Sequence, residues 1–293
     1  MRQVKLELDY HSTEPVSISE YLKKHSPLSG RSLSKYFFKG LVYRNGKKAH
    51  SQALLKPGDH ITVYALNEAQ PALEPEPLPV DIIYEDHDLL VLNKPPLLAV
   101  HPSGSIKSGT LANRVAYYFQ KKKIKAKIRP VNRLDFGTSG LILFAKSAEI
   151  QAKLSKEIQE HRIERIYYAV VRGVPPAASG VISLPIANID GNRRINEGGR
   201  EAETFYRVIK AWQGYSLLEI SLKTGRTHQI RIHLSYIGHP ILGDLKYGVK
   251  SDFINRPALH AGKLDFQKSE FKIPELAAAL PEDMAGLLEA LQA

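Results

Sequence analysis

The sequence predicts a two-part α+β protein, a small N-terminal unit followed by a larger mixed one built on an antiparallel-rich sheet. Three features of its 293 residues lead there. The first is a boundary: residues 67–79, NEAQPALEPEPLP, hold four prolines, three glutamates, no base and no helix or strand periodicity, which is the composition of a semi-rigid linker. The second is the pattern on either side of it, where short amphipathic stripes alternate with short apolar runs. The third is the stretch Arg129 to Ser147, RPVNRLDFGTSGLILFAKS, in which a small-residue turn (Gly137, Thr138, Ser139, Gly140) delivers the chain into the five-residue apolar run Leu141 to Ala145. Flanking glycines allow the tight bend, and a run of that kind reads as a buried strand.

Composition narrows the function classes. A hydrophobic fraction of 43% suits a packed core, and no run approaches the eighteen apolar residues of a membrane span. The opening MRQVKLELDY lacks the apolar centre of a signal peptide, so a cytoplasmic protein is expected. With no cysteine, disulfides, thiolate zinc sites, iron–sulfur clusters and a cysteine nucleophile are excluded. The net charge of +11 and pI near 9.5 favour a polyanionic partner, whether RNA, DNA or anionic lipid. Residues 1–66 carry 11 Lys and Arg against 5 Asp and Glu, so the excess is dense there.

In residues 1–66, Ser17 and Glu20 form a capping box that starts a helix with Ile18, Tyr21 and Leu22 on its apolar stripe. A second helix is expected over Arg31 to Lys39, with Leu33, Tyr36 and Phe37 inward and Arg31, Lys35 and Lys39 toward solvent, stopped by Gly40. A strand from Leu41 to Arg44, an Asn45-Gly46 turn, a Pro57-Gly58-Asp59 turn and a strand from Ile61 to Ala65 follow.

Beyond the linker, strands are expected at Ile82 to Tyr84 and Leu89 to Leu92, and a helix at Leu111 to Phe119. The basic run Lys121 to Arg129 is either a phosphate-gripping loop or a solvated face. After the central stretch come a helix over Glu149 to His161 and a strand over Arg165 to Gly173. Its adjacent Tyr167 and Tyr168 must point to opposite faces, so only one can face a pocket. Ser183 to Arg200, polar and glycine-rich with Arg193, Arg194 and Arg200, reads as a long loop. Thr204 to Ile209 and Tyr215 to Leu222 read as strands paired across Gln213-Gly214. A helix is expected to begin near Thr227, with Ile230, Leu234 and Ile237 on one face, and another in the tail from Glu275.

The motifs in these elements carry a resemblance. R-L-D-x-x-T-S-G before an apolar strand, Y-E-D-x-x-L-L-V-x-N-K-P at Tyr84 to Pro95, His101-Pro102-Ser103-Gly104, T-G-R-T-H-Q-I-R-x-H-L at Thr224 to Leu234, G-D-x-x-Y-G at Gly243 to Gly248 and Leu259-His260-Ala261 together resemble the pseudouridine synthases of the RluA type. The G-x-V-x-x-N-G-K and P-G-D-x-I-x-V pattern of residues 1–66 resembles the RNA-binding domain of small ribosomal subunit protein four. This likeness implies a synthase domain over residues 80–293 with its site in a central cleft, behind an RNA-binding domain whose contacts include Arg31, Lys35 and Lys39.

By the same resemblance Asp135 is the essential carboxylate, Tyr167 stacks on the target base and Arg226 is the cation beside Asp135. Arg133 would fill the vacated stack or hold a phosphate. Detaching uracil from ribose, turning it and rejoining it through carbon needs no second substrate, and a carboxylate can start it as nucleophile or as base. A neighbouring cation favours the ionised carboxylate, and a helix N-terminus near Thr227 adds a positive dipole end. Three positions depart from the family pattern: Asn132 where histidine is usual, and Phe136 and Gly137 where charge is frequent. They put in doubt any transfer of RNA-sequence preference.

No cofactor or metal is expected. No phosphate-binding glycine loop occurs, and His228 and His233, five apart, do not stack on one helical face. The expected partner is RNA, first of all large-subunit ribosomal RNA, with no membrane and with the protein a monomer. The alternatives are a transfer-RNA synthase of the same chemistry, or a non-catalytic RNA-binding ribosome-assembly protein on this fold. The last should have lost at least one of Asp135, Tyr167 and Arg226, and all three are present.

Overall fold

The structure is a computed structural model that describes residues 4–26, 28, 30–64 and 73–292; the side chains of Arg31 and Ser32 lie outside the described part. Its contacts divide the chain into two units, Met1–Ala72 and Leu73–Ala293. No helix among the described residues is long and apolar enough to cross a membrane.

The first unit runs β1 (Val4–Tyr10), α1 (Ile18–His25), α2 (Gly30–Phe38), β2 (Val42–Arg44), β3 (Lys47–Lys48) and β4 (Asp59–Tyr64). The strands form an antiparallel sheet in the order β1-β4-β2-β3. Ser17 Oγ accepts from the Glu20 amide, and Glu20 Oε2 accepts from the Ser17 amide, each at 3.2 Å, so the capping box closes in both directions. Ile18, Leu22, Leu33, Tyr36, Val42, Ile61 and Val63 make the core. Tyr36 is buried and Phe37 only partly, while the neighbouring Phe38 is 86% exposed beside the exposed Lys39. β1 has no counterpart in the sequence expectations, although Leu6, Leu8 and Tyr10 alternate with Lys5, Glu7 and Asp9 as a half-buried strand requires.

The second unit runs β5 (Ile82–Glu85), β6 (Leu89–Lys94), α3 (Leu111–Lys121), β7 (Arg129–Pro130), β8 (Ser139–Ala145), α4 (Ala148–Gln159), β9 (Glu164–Arg172), β10 (Ser179–Ser183), β11 (Ile186–Ile189), β12 (Asn192–Ile195), β13 (Glu203–Trp212), β14 (Tyr215–Leu222), α5 (Gln229–Tyr236), β15 (Leu259–Asp265), β16 (Leu276–Ala277) and α6 (Glu282–Ala290). Eight strands follow the order β10-β13-β14-β9-β15-β8-β6-β5, with β16 on β15 and β7 on β8. Every pairing in this sheet is antiparallel except β15 with β8. The strand expected from the apolar run is β8, buried along its whole length. Alternate residues explain why it is apolar throughout. Ile142 and Phe144 join Leu90, Leu92, Val115 and Phe119 in one core, while Leu141, Leu143 and Ala145 join Leu89, Val91 and Leu154 in another on the opposite face.

Gly140 shows how tightly β8 and β15 meet. Its φ is +108°, and a Cβ there would stand 2.2 Å from the Ala261 carbonyl oxygen, a backbone atom that cannot yield. Beside it Ser139 Oγ and His260 Nδ1 are 2.9 Å apart, so two motif blocks are joined where the strands run parallel. Gly140→Ala is therefore expected to destabilise the protein by about 4 kcal/mol or more, from strained backbone plus overpacking. Chemical denaturation measures this, and a loss below about 1 kcal/mol would contradict the close approach.

Three segments differ from expectation. Residues 73–79 of the proline-rich stretch belong with the second unit: Asn113 Nδ2 donates to the Glu74 carbonyl at 2.8 Å, and the Glu76 amide donates to the Asn113 carbonyl at 3.1 Å. Residues 67–72 lie outside the described part. The segment Ser183 to Arg200 contains the β11–β12 hairpin, turned by Asp190 and Gly191 at φ of 50° and 81°. Its Ile186 and Ile195 pack with Ile232 of α5, which is why it folds rather than remaining a loop. In the tail, the helix among the described residues is Glu282–Ala290.

Candidate active site

Asp135 lies in the turn that feeds β8, and several bonds fix that turn from behind. The Thr138 amide donates to the Asp135 carbonyl at 3.1 Å, which closes the bend. Two buried cations grip the next two carbonyls: Lys94 Nζ donates to Phe136 O at 3.4 Å and Arg256 Nη1 to Gly137 O at 3.1 Å. Lys94 also donates to Pro95 O and Leu98 O at 2.8 and 2.9 Å, so three acceptors meet its three donors although it is wholly buried. Burial first, then Arg256, pull its pKa down to about 7, and Asp135 opposes them. Arg256 in turn is held by a two-point bond to Asp283, both at 2.7 Å. Asn132, at the position of the usual histidine, accepts from the Leu143 amide at 2.8 Å through Oδ1 and leaves Nδ2 buried without a partner.

The carboxylate of Asp135 is 15% exposed and meets two side chains of the T-G-R-T-H-Q-I-R block, both at the same oxygen. Arg231 Nη1 lies 3.5 Å and His228 Nε2 3.9 Å from Oδ2. Among the described residues no donor is bonded to Oδ1. Arg231 is itself locked by Asp244, with Nε to Oδ2 and Nη2 to Oδ1 both at 2.7 Å, and Asp244 also accepts from the amides of Lys246 and Tyr247. Despite a burial that would raise it, the Asp244 carboxyl is held below the usual carboxylate range by Arg231. The G-D-x-x-Y-G block thus holds the cation in place, and its tyrosine reaches the histidine: Tyr247 Oη lies 2.9 Å from His228 Nδ1.

The expected cation, Arg226, is not the one paired with Asp135. Its Nε donates to the Glu201 carbonyl at 2.8 Å, although its side chain lines the same cavity as Asp135. α5 begins at Gln229 rather than Thr227, His228 before it sits in the left-handed region at φ 60°, and Arg231 in the first helical turn is the arginine that reaches Asp135. A non-glycine residue there costs about 1–3 kcal/mol and persists where its surroundings impose it. Gln229 does so: its Oε1 accepts from Thr224 Oγ1 and the Arg226 amide, and its Nε2 donates to Glu203 O and Thr204 Oγ1. His233 turns away from the site, bonded to Thr204 and the Leu184 carbonyl.

Tyr167 and Tyr168 obey the strand alternation. Tyr167 is buried and lines the cavity with Asp135, whereas Tyr168 packs over Gly262 on the other face. Burial, and to a smaller degree Asp135, keep the Tyr167 hydroxyl protonated by raising its pKa, against Arg165. Arg165, two positions earlier on the same face, lines the cavity as well.

Asp135, Arg133, Leu134, His228 and Arg231 stand between two cavities. One, of about 450 Å³, is completed by Thr138, Arg165, Tyr167, Gly225 and Arg226. The other, of about 1360 Å³, is bordered by Leu97, His101, Asn132, Phe136 and Lys246. Both open to solvent and meet at the Asp135 carboxylate. Of the expected RNA contacts, Arg133 is exposed at this junction, while Lys35 and Lys39 are exposed in the first unit on and just after α2. In the basic run, Ile124, Ala126 and Ile128 pack inward while Lys125 and Lys127 face out, an edge that presents charge on one side only.

Comparison with known proteins shows the family of the chain. The sequence model of the family described as RNA pseudouridylate synthase matches residues 88–236. An uncharacterized RNA pseudouridine synthase of Chlorobaculum parvum is 36% identical over 309 aligned positions, spanning 95% of this chain and 94% of its own. The ribosomal large subunit pseudouridine synthase D of Pasteurella multocida is 34% identical over 89% of this chain and 86% of its own. Among solved structures, human RNA Pseudouridylate Synthase Domain Containing 4 matches with a TM-score of 0.61 at 25% identity, covering 72% of this chain and 93% of that one. The chain belongs to the RNA pseudouridine synthases of the RluA type, enzymes that isomerise uridine within RNA.

Proposed function

We propose that this enzyme makes pseudouridine in structured ribosomal RNA of the large subunit, and that Asp135 is the carboxylate that starts the reaction. One observation carries the second part. Oδ2 of Asp135 is engaged by a clamped arginine while Oδ1 is left open, beside a cavity walled by a buried tyrosine. An oxygen so presented can act as nucleophile or as base on a uridine brought out of its stack. The bond from C1′ to N1 breaks, the bond from C1′ to C5 forms, and the C5 proton is lost as N1 gains one. Atoms balance with no second substrate. Arg133, Arg165 and Arg226 supply cations for the phosphates around the extruded nucleotide.

The choice of ribosomal RNA is supported by relatives named for the large ribosomal subunit at 34–36% identity. Purified protein is to be incubated with large-subunit ribosomal RNA and with transfer RNA, both from cells lacking it. Pseudouridine appearing in the ribosomal pool at defined positions is the expected result. Conversion confined to transfer RNA would overturn the choice.

Tyr167 supplies the stacking face. Tyr167→Phe keeps the ring and is expected to retain appreciable activity, whereas Tyr167→Leu should lose about 5- to 150-fold, the equivalent of about 1–3 kcal/mol of base stacking. Equal losses in single-turnover rate would assign the work to the hydroxyl.

Residues 1–66 serve as an RNA-binding domain, with Arg31, Lys35 and Lys39 as contacts; the exposed Phe38 beside Lys39 suits stacking against bases. Tethered to the catalytic unit, this domain raises effective concentration rather than reaction rate. A protein cut to residues 73–293, which keeps the Glu74 and Glu76 bonds to Asn113, should reach the full rate at saturating RNA. It should bind more weakly, and the slope of log affinity against log salt should be shallower by about one for each phosphate that the missing domain would have neutralised. A folded but inactive truncation at saturation would place part of the active site in the first unit.

A further inference from the structure

We propose that His228, oriented by Tyr247, is a positioning residue that donates from Nε2 to Asp135 Oδ2 and so presents Oδ1 to the uridine. This deepens the proposed function and rests on Asp135 being the reacting carboxylate.

A neutral His228 that donates to Asp135 has one arrangement of protons. His228 Nδ1 is 2.9 Å from the Tyr247 hydroxyl and Nε2 is 3.9 Å from Asp135 Oδ2. A carboxylate only accepts, so the nitrogen facing it must carry hydrogen to be attracted. In a neutral imidazole the other nitrogen is then a bare acceptor, and the Tyr247 hydroxyl donates to it. Both partners are held in the forms this needs. Burial lowers the His228 pKa, with Arg231, Lys246 and Arg193 adding to it and Asp135 opposing, while burial raises that of Tyr247. The ring is fixed further by edge contact with Tyr247, whose own ring lies 5.1 Å from the Arg231 guanidinium.

The same tyrosine therefore packs against both donors that converge on Oδ2. One, Arg231, is at 3.5 Å; the other, at 3.9 Å, is beyond hydrogen-bond length by a few tenths of an ångström. Such bonds commonly tighten only when substrate excludes water. The backbone at residue 228 is left-handed, a conformation that clusters at active sites.

The test compares full-length wild type with His228→Gly, His228→Gln, Tyr247→Phe and Asp135→Asn, reading single-turnover rate at saturating RNA and RNA affinity separately. His228→Gly keeps the backbone and deletes the donor, so the rate should fall about 10- to 100-fold with affinity within about twofold. His228→Gln restores an N–H at similar reach and should recover most of that loss. Tyr247→Phe removes only the orienting hydroxyl and should slow the rate about 3- to 10-fold. A wild-type rate for His228→Gly, a loss confined to affinity, or a folded His228→Gln no faster than His228→Gly would each overturn the inference. If His228→Gly does not fold, Tyr247→Phe decides, and an unchanged rate overturns it. Asp135→Asn separates the two layers: inactive Asp135→Asn beside normal histidine variants refutes only the role of His228, whereas active Asp135→Asn refutes the assignment of the reacting carboxylate.

Discussion

Asp135→Asn is expected to leave pseudouridine formation at background while RNA affinity stays within about twofold of wild type. The substitution keeps the volume and one carbonyl oxygen, so Arg231 still has an acceptor and the turn into β8 still has its bond from the Thr138 amide to the Asp135 carbonyl. What disappears is the negative charge and, with it, a nucleophile or base at the open oxygen. Stability should hardly change, because the bonds that fix the turn come from Lys94, Arg256 and Thr138 and go to backbone carbonyls rather than to the carboxylate. Rate and affinity are measured separately on one RNA. Appreciable turnover by the variant would remove Asp135 from the chemistry. A protein that only chaperones RNA would show no difference between the two.

Arg231→Met should be damaging in two ways at once, and this separates it from Arg226→Met. Asp244 is fully buried and would lose both of its bonds to the guanidinium, leaving an uncompensated charge; the expected loss is about 3–5 kcal/mol. The rate at saturating RNA should also fall by about 100-fold or more, because the donor on Asp135 Oδ2 is gone. A pH dependence follows with a definite sign. The Asp244 carboxyl is held below its ordinary 3.8 in the folded protein, so the stability it contributes is complete above that value and is lost as the pH falls toward the lowered one. In the variant this acid-dependent loss should shrink. Arg226→Met removes a bond to one carbonyl and should cost about 1 kcal/mol or less. Denaturation of both variants at neutral and acidic pH measures all of this. If Arg226→Met were the unstable one and Arg231→Met the mild one, the arrangement around Asp135 would be wrong.

The contrast between those two arginines marks where the sequence stops being informative. The turn and apolar run around Asp135, the capping box at Ser17 and the opposite faces of Tyr167 and Tyr168 follow from local rules of spacing, and they were legible. Arg226 and Arg231 lie in one motif five residues apart, and no periodicity announces which of them meets Asp135 or that His228 between them is left-handed. Nothing in the spacing around Lys94 and Arg256 announces a role, yet both are buried and hold consecutive carbonyls after Asp135. Only the tertiary arrangement reveals why a lysine should be there. The β11–β12 hairpin was missed for another reason. Asp190-Gly191 is a hairpin signal, but strands of four residues, one of them holding Arg193 and Arg194, carry too little apolar alternation to stand out until Ile232 of α5 is placed against them. The proline-rich stretch misled by composition, since prolines and glutamates suit a linker, while Glu74 and Glu76 in fact bond to the start of α3 and the turn before it.

The central claim is that the carboxylate of Asp135 in this chain converts uridine to pseudouridine in ribosomal RNA. The most direct measurement is nucleotide-resolution mapping of pseudouridine in total RNA from cells deleted for the protein, complemented with wild type or with Asp135→Asn at equal abundance. One or a few positions in large-subunit ribosomal RNA should lose pseudouridine on deletion, regain it with wild type and stay unmodified with Asp135→Asn. Restoration by Asp135→Asn, or no position that changes in any RNA, would contradict the account.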